Sequence, residues 1–343
     1  MHVLSVASEA VPWVKTGGLA DVAGALPAAL VPHGIEVTTL IPGYRDVLGK
    51  LGKRPRTVHK WADLFGGPAR VLGKDRMLVL DAPHLFDRPG RPYGDDAGHD
   101  WPDNWRRFAA FARAAADLAG GVAKGLRFDL LHAHDWQAGL APAYLRFAPA
   151  RPDAAPVPAV MTIHNMAFQG YCPADIFPQL GLPREAWAMD GVEYHGGVGL
   201  LKAGLESAAA ITTVSPTYAR EIRLPEFGMG LDGLIRARGS VVHGIVNGID
   251  TGEWDPAGDP ALAARYTAET LPARAANRAA LEAEFGLEPG AGPLFIVVSR
   301  LTWQKGMDVL LEALDHLVWL GGRLALLGTG DAALEAGFHA AAA

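Results

Sequence analysis

Seven short, largely apolar runs punctuate the first 250 residues: "HVLSVASEA", "EVTTLIP", "RMLVLDAP", "DLLHAHD", "PAVMTIHN", "AAAITTVSP" and "SVVHGIVNG". Two intervening stretches carry helical spacing: "LADVAGALPAALVPHG", expected to end near Gly34, and "NWRRFAAFARAAADLAGGVAKG", expected to form a long amphipathic helix. A strand that is apolar on both faces has to be covered on both faces. Strands of this kind alternating with helices predict an α/β fold, a parallel sheet with helices on each side.

That rhythm breaks at "NGIDTGEWDPAGDPALAARYTAETLPARAANRAALEAEFGLEPGAG", which is rich in Pro, Gly and Ala. A second unit then opens with strand "PLFIVVSR", helix "GMDVLLEALDHLVWLG" and strand "RLALLGTGD". The boundary is expected near residue 245, giving domains 1–244 and 245–343, and a chain of 343 residues suits about two domains. Two strands are few for a doubly wound core, and "AALEAGFHAAAA" reads as a helix cut short, so the second domain is expected to be incomplete. A formal net charge of −6 argues against a general nucleic-acid surface. Cys172 is the only cysteine, which excludes an intrachain disulfide and a Cys-rich metal site. No apolar run approaches the roughly 20 residues of a membrane span, and the N-terminus lacks signal-peptide features, so a cytoplasmic location without membrane contact is expected.

Chemistry is concentrated where strands end. Lys15-Thr16-Gly17-Gly18 follows the first strand and opens a helix, a position where free N–H groups and the helix dipole favour an anion. The stretch matches neither G-x-G-x-x-G nor a P-loop, and a plain turn with a solvated lysine explains it equally well. Arg300 and Lys305 bracket a second strand-to-helix junction with Gly306 near the helix start, and two such sites, one per domain, would face each other across a cleft. Between them come His132, His134, Asp135 and Trp136, then His164 and Asn165, then Asn247. His-x-His-Asp has plausible metal-ligand types but no third ligand cluster, so polar residues lining a ligand cleft are the better reading, and no metal is expected. His164 fits either that lining or a hydrogen-bonded core histidine.

Six segments together, "KTGGLADV", "HAHDWQAGLAPAYL", "TIHNMAFQG", "LKAGLESAAAITTVSPTYAREI", "GIVNGIDTGEWDP" and "VSRLTWQKGMDVLLEAL", resemble the bacterial glycogen synthases (starch synthases) in order and spacing. The resemblance runs the length of the chain, with the C-terminal part of the family pattern missing. It implies the GT-B fold, two Rossmann-like domains with the second incomplete here. It also implies transfer of glucose from ADP-glucose to the non-reducing 4-hydroxyl of an α-1,4-glucan such as glycogen, with retention of configuration and no metal or cofactor. Residue by residue, it implies that Lys15, Gly17, Gly18 and Asp21 serve the donor and that Asn165 and Asn247 bind substrate. His164 would stand beside the glucosyl unit, and Arg300 and Lys305 would neutralise the departing diphosphate. A UDP-glucose-dependent GT-B transferase and an inactive glucan-binding remnant are the alternatives. A dehydrogenase is disfavoured, because G-x-G-x-x-G with its later acidic residue is absent.

Overall fold

The computed structural model describes residues 1–52, 55–95, 98–151 and 155–342. The chain separates into two compact units, Met1–Gly248 and Ile249–Ala343.

The first unit contains β1 (His2–Val6), β2 (Glu36–Pro42), β3 (Arg56–Trp61), β4 (Ala69–Lys74), β5 (Met77–Asp81), β6 (Leu130–His134) and β7 (Ala159–Ile163). It continues with β8 (Tyr171–Cys172), β9 (Glu193–Tyr194), β10 (Gly197–Gly199), β11 (Ala210–Thr213) and β12 (Val242–Gly244). Among the described residues nine of these form one sheet, ordered β12-β11-β7-β6-β1-β2-β5-β4-β3. The seven from β12 to β5 are parallel, as their apolar runs predict. β4 and β3 join antiparallel, so the sheet is mixed at one edge rather than wholly parallel. The reason is legible in β3 itself: "RTVHKW" has no fully buried residue and so lacks the continuous apolar signature of a covered strand. β8, β10 and β9 form a separate small antiparallel sheet.

The first helix, Gly18–Leu30, closes through a short 3-10 turn onto Gly34, whose φ of +69° is the left-handed conformation that suits glycine. The helix Asn104–Ala119 departs from the amphipathic expectation, since thirteen of its sixteen residues are buried. Its charged members are satisfied individually. Arg107 donates to the carbonyls of Leu85 (2.9 Å) and Pro92 (3.0 Å) and to Asn104 Oδ1 (2.6 Å). Asp117 accepts from Trp61 Nε1 at 2.8 Å and pairs with Arg113 at 2.7 Å. Charge that looks solvent-facing in the sequence is therefore internal polar packing. Helices Leu140–Phe147 and Leu200–Ser207 approach closely at two glycines. A Cβ on Gly139 would lie 2.2 Å from the Leu200 carbonyl oxygen, and one on Gly204 would lie 2.7 Å from that of Gly139.

In the second unit β13 (Leu294–Val298) and β14 (Arg323–Leu327) form a parallel pair, with helices Arg274–Glu284, Met307–Trp319 and Ala332–Ala341. The Pro- and Gly-rich stretch that breaks the sequence rhythm thus contains a helix. That helix is tied to β14 by Glu282, which accepts from Arg278 at 3.0 Å and from Arg323 at 2.6 Å. The buried core here is small, centred on Leu301, Met307 and Phe338, while Ile296, Val298 and Leu327 are more than 60% exposed.

Candidate active site

The site is assembled at the carboxyl ends of β1, β6 and β7, adjacent strands in the parallel sheet, where ligands of open α/β sheets commonly bind. β6 ends at His134, and the chain then turns sharply through Asp135, a non-glycine residue with φ +54°. Left-handed backbone at an aspartate costs energy and is held only where surrounding contacts impose it. Here the contact is visible: Asp135 Oδ1 accepts the N–H of His164 at 2.7 Å, which ties the end of β6 to the end of β7. Burial pushes the Asp135 carboxyl up to about 7; the N–H groups of His164 and Asn165 oppose the shift and the Glu9 charge adds to it.

The histidines bond to one another and to hydroxyls. His134 and His164 are joined ring nitrogen to ring nitrogen at 3.0 Å, and Ser5 on β1 reaches the other His134 nitrogen at 3.3 Å. His132 is linked to Thr162 (2.6 Å), and Thr162 to Thr212 (2.6 Å). Burial depresses His132 and His164 to about 4, with the His164 charge adding to the effect on His132. His134 also lies well below its usual range, through burial and then the His132 and His164 charges. At neutral pH the cluster is uncharged. His164, half-buried at the end of β7, fits both of the readings its sequence position allowed: it belongs to a hydrogen-bonded network and it borders the strand-end surface. Among the described residues no three His, Cys, Asp or Glu side chains are grouped to hold a metal ion.

The loop after β1 carries the two glycines. Gly17 is extended (φ −156°), and neither glycine has left-handed backbone. A Cβ on Gly17 or Gly18 would meet nothing within 4 Å. Neither left-handed backbone nor packing among the described residues demands a glycine at either position, and open space lies beside a helix N-terminus. The N–H groups are divided. Glu9, only 3% exposed, accepts from the N–H of Thr16, from Thr16 Oγ1 (2.6 Å), from the Gly17 N–H (3.3 Å) and from the Tyr93 hydroxyl (2.5 Å). The Gly18 N–H, first in the helix, has no acceptor among the described residues. Lys15 is paired with Asp21 at 2.7 Å, both side chains being 53% exposed. An exposed pair of this kind is worth at most about 1 kcal/mol, so Lys15 remains available to a better anion.

Asn165 is partly committed to its own turn, its Oδ1 accepting the Ala167 N–H at 3.0 Å. Asn247 is exposed beyond β12, where the expected strand "SVVHGIVNG" stops at Gly244. In the second unit Arg300 and Lys305 occupy the exposed connection from β13 to the helix Met307–Trp319, and Gly306 turns the chain with φ +67°. Neither forms an ion pair among the described residues. Sequence reading missed Glu9 and Tyr93. The signal for Glu9 was present, an acid inside the apolar run "VASEAVPW" at a strand end. Tyr93 had none, since it reaches the site from a loop 84 residues away.

Residues 2–237 match the family model of the starch synthase catalytic domain. The glycogen synthase of Novosphingobium aromaticivorans is 68% identical across 100% of this chain and 71% of its own length. That of Mesorhizobium japonicum is 57% identical over the same shares. Among solved structures, the catalytic domain of starch synthase IV from Arabidopsis thaliana, bound to ADP and acarbose, is similar with a TM-score of 0.82 and 29% identity. That likeness covers 99% of this chain and 71% of the plant chain. Sucrose-phosphate synthase from Thermosynechococcus elongatus (TM-score 0.50, 15% identity, 97% and 63% coverage) shares the fold.

Proposed function

The chain belongs to the glycogen and starch synthases, glucosyltransferases of GT-B fold, and from that premise we propose how its residues divide the transfer of glucose from ADP-glucose to the non-reducing end of an α-1,4-glucan. The observation that carries the proposal is the loop Lys15–Gly18. Two glycines that nothing among the described residues demands, an N–H without an acceptor among them and a weakly held lysine converge on the start of one helix. A nucleotide sugar fits this arrangement: open backbone admits the glucosyl diphosphate, and Lys15 exchanges Asp21 for a phosphate oxygen.

Breaking the glucose–diphosphate bond builds negative charge on the leaving oxygens, so fixed cations act most strongly in the transition state. Arg300 and Lys305, two cations without carboxylate partners among the described residues, are assigned to that charge. His164 is assigned to the glucosyl side, with its backbone carbonyl supporting positive charge at the anomeric carbon. Asp135 takes the N–H groups of both His164 and Asn165, and the Asn165 N–H shares its peptide with that carbonyl. Retention follows without a protein nucleophile when the acceptor hydroxyl attacks from the face the diphosphate leaves. Asn165 and Asn247 are assigned to substrate hydroxyls. A cytoplasmic location belongs to the same reading.

Calorimetric titration with ADP-glucose tests the loop. Lys15→Gln should weaken binding by roughly 1.5–3 kcal/mol, the worth of a charge-assisted contact. An unchanged affinity would return Lys15 to the role of a solvated charge. Arg300→Ala and Lys305→Ala should lower kcat more than they raise the acceptor KM. A rise confined to the acceptor KM would assign these side chains to glucan.

A further inference from the structure

Beside the Lys15 loop the first unit holds a cavity of about 340 Å³, of whose lining only Lys15 has a role above. Six cations line it, Lys15, Arg45, Lys50, Arg88, Arg91 and Arg107, with Asp46 as the one carboxylate in its wall. Three of the six have acidic partners: Asp21 for Lys15, Asp87 for Arg45 and Asp103 for Arg88. The other three have no ion-paired carboxylate among the described residues. Lys50 donates to the Pro12 and Trp13 carbonyls at 3.2 and 2.6 Å, and Arg107 is held by uncharged oxygens. The Arg91 side chain is exposed, with no hydrogen bond among the described residues. Six cations against four carboxylates leave the wall with a surplus of two positive charges.

A second observation does not depend on charge. Tyr44 lines the same cavity and is only 8% exposed, yet its hydroxyl has no hydrogen-bond partner among the described residues. An unpartnered buried hydroxyl costs about 1–3 kcal/mol, and such groups are rare enough to need a reason. Burial raises the Tyr44 phenol far above its ordinary range, with Arg107 opposing the shift, so at neutral pH it stays an O–H donor. The hydroxyl oxygen itself is closed to solvent, so the contacts to an anion come from Lys50 and Arg91, whose side chains are exposed on the cavity wall. The volume exceeds what inorganic phosphate fills, and Trp13 and Phe86 supply apolar wall for an organic body.

We propose that this cavity is a binding site for a small organic phosphate, distinct from the site for the nucleotide-sugar donor. Titrating ribose 5-phosphate into the 343-residue chain saturated with ADP tests it, with ribose and inorganic phosphate as comparison probes. One equivalent of ribose 5-phosphate should bind in the presence of ADP, ribose should not bind, and inorganic phosphate should bind more weakly. Arg91→Ala should weaken ribose 5-phosphate binding about tenfold or more, as removal of a charge-assisted contact does. Its melting temperature should not change, because the side chain holds nothing in the fold. Loss of binding when ADP is present would place the anion in the donor site and overturn the proposal. Equal affinity in Arg91→Ala, or no binding at all, would overturn it as well.

Discussion

Glu9 shows how one buried side chain sets a loop that the sequence presents as free. Its carboxylate gathers two backbone N–H groups, a threonine hydroxyl and a tyrosine hydroxyl, and thereby fixes where Lys15 and Gly18 stand. Replacing Glu9 by Ala should destabilise the first unit by roughly 2–4 kcal/mol, since several donors lose their acceptor together. Hydrogen exchange should quicken selectively at Thr16 and Gly17; uniform loss of protection would mean the carboxylate supports the whole fold rather than the loop. The histidines make a second prediction. His132 and His164 titrate near 4 in the folded chain against 6.5 when unfolded, so the stability they confer is complete above pH 6.5 and is lost as pH falls toward 4. For His132 the span corresponds to about 3 kcal/mol. Asp135 works in the opposite sense, its raised carboxyl favouring the fold below about 7, but a single carboxyl is outnumbered by three depressed histidines. Denaturant midpoints should therefore decline from pH 6.5 to 4, and His132→Gln should flatten that slope. An unaltered slope would show that His132 does not titrate there. Residue types at strand ends were legible in the sequence, but their partners were not, because Glu9–Tyr93 and Asp135–His164 are long-range pairs that no local spacing encodes.

At the scale of elements, legibility followed burial. Strands covered on both faces, such as β1, β6 and β7, announce themselves as apolar runs, and Gly34 marks the end of the first helix through its left-handed backbone. β3 was missed because this edge strand mixes polar with apolar residues and so resembles a loop, and β4 because Arg70, Gly73 and Lys74 break up its short apolar run. The helix Asn104–Ala119 was found but misread, since Arg107 and Asp117 look solvent-facing until their buried partners are known. Gly139 is an element-scale contact with a sharp test. Gly139→Ala would drive a Cβ into the Leu200 carbonyl at 2.2 Å, against backbone that cannot swing aside. The variant should lose about 1–3 kcal/mol, the usual cost of overpacking, and thermal unfolding would measure it. A neutral substitution would mean that the helices Leu140–Phe147 and Leu200–Ser207 can slide apart without penalty.

Across the whole molecule the two units differ in how much they bury. The first has a continuous core beneath its sheet, whereas the second leaves Ile296, Val298, Trp319 and Leu327 more than 60% exposed. Brief proteolysis should accordingly leave a fragment of about 240 residues and cut beyond it, because cleavage follows local opening. Equal resistance throughout would show that the exposed apolar side chains are covered in solution. The chain spans about 71% of the length of the glycogen synthases it matches, and the family's identity rests on motifs spread along all of it. The chemistry proposed for that identity is assigned to the loop at Lys15, and Gly18 probes it most cleanly, since no described atom stands where its Cβ would go. The decisive measurement is calorimetric titration of ADP-glucose into the wild-type chain and Gly18→Ala, with the melting temperature of each. The variant should melt at the wild-type temperature or slightly above, as alanine favours a helix over glycine, yet bind ADP-glucose at least tenfold more weakly. Unchanged donor affinity in a stable Gly18→Ala chain would contradict the assignment of this loop to the nucleotide sugar.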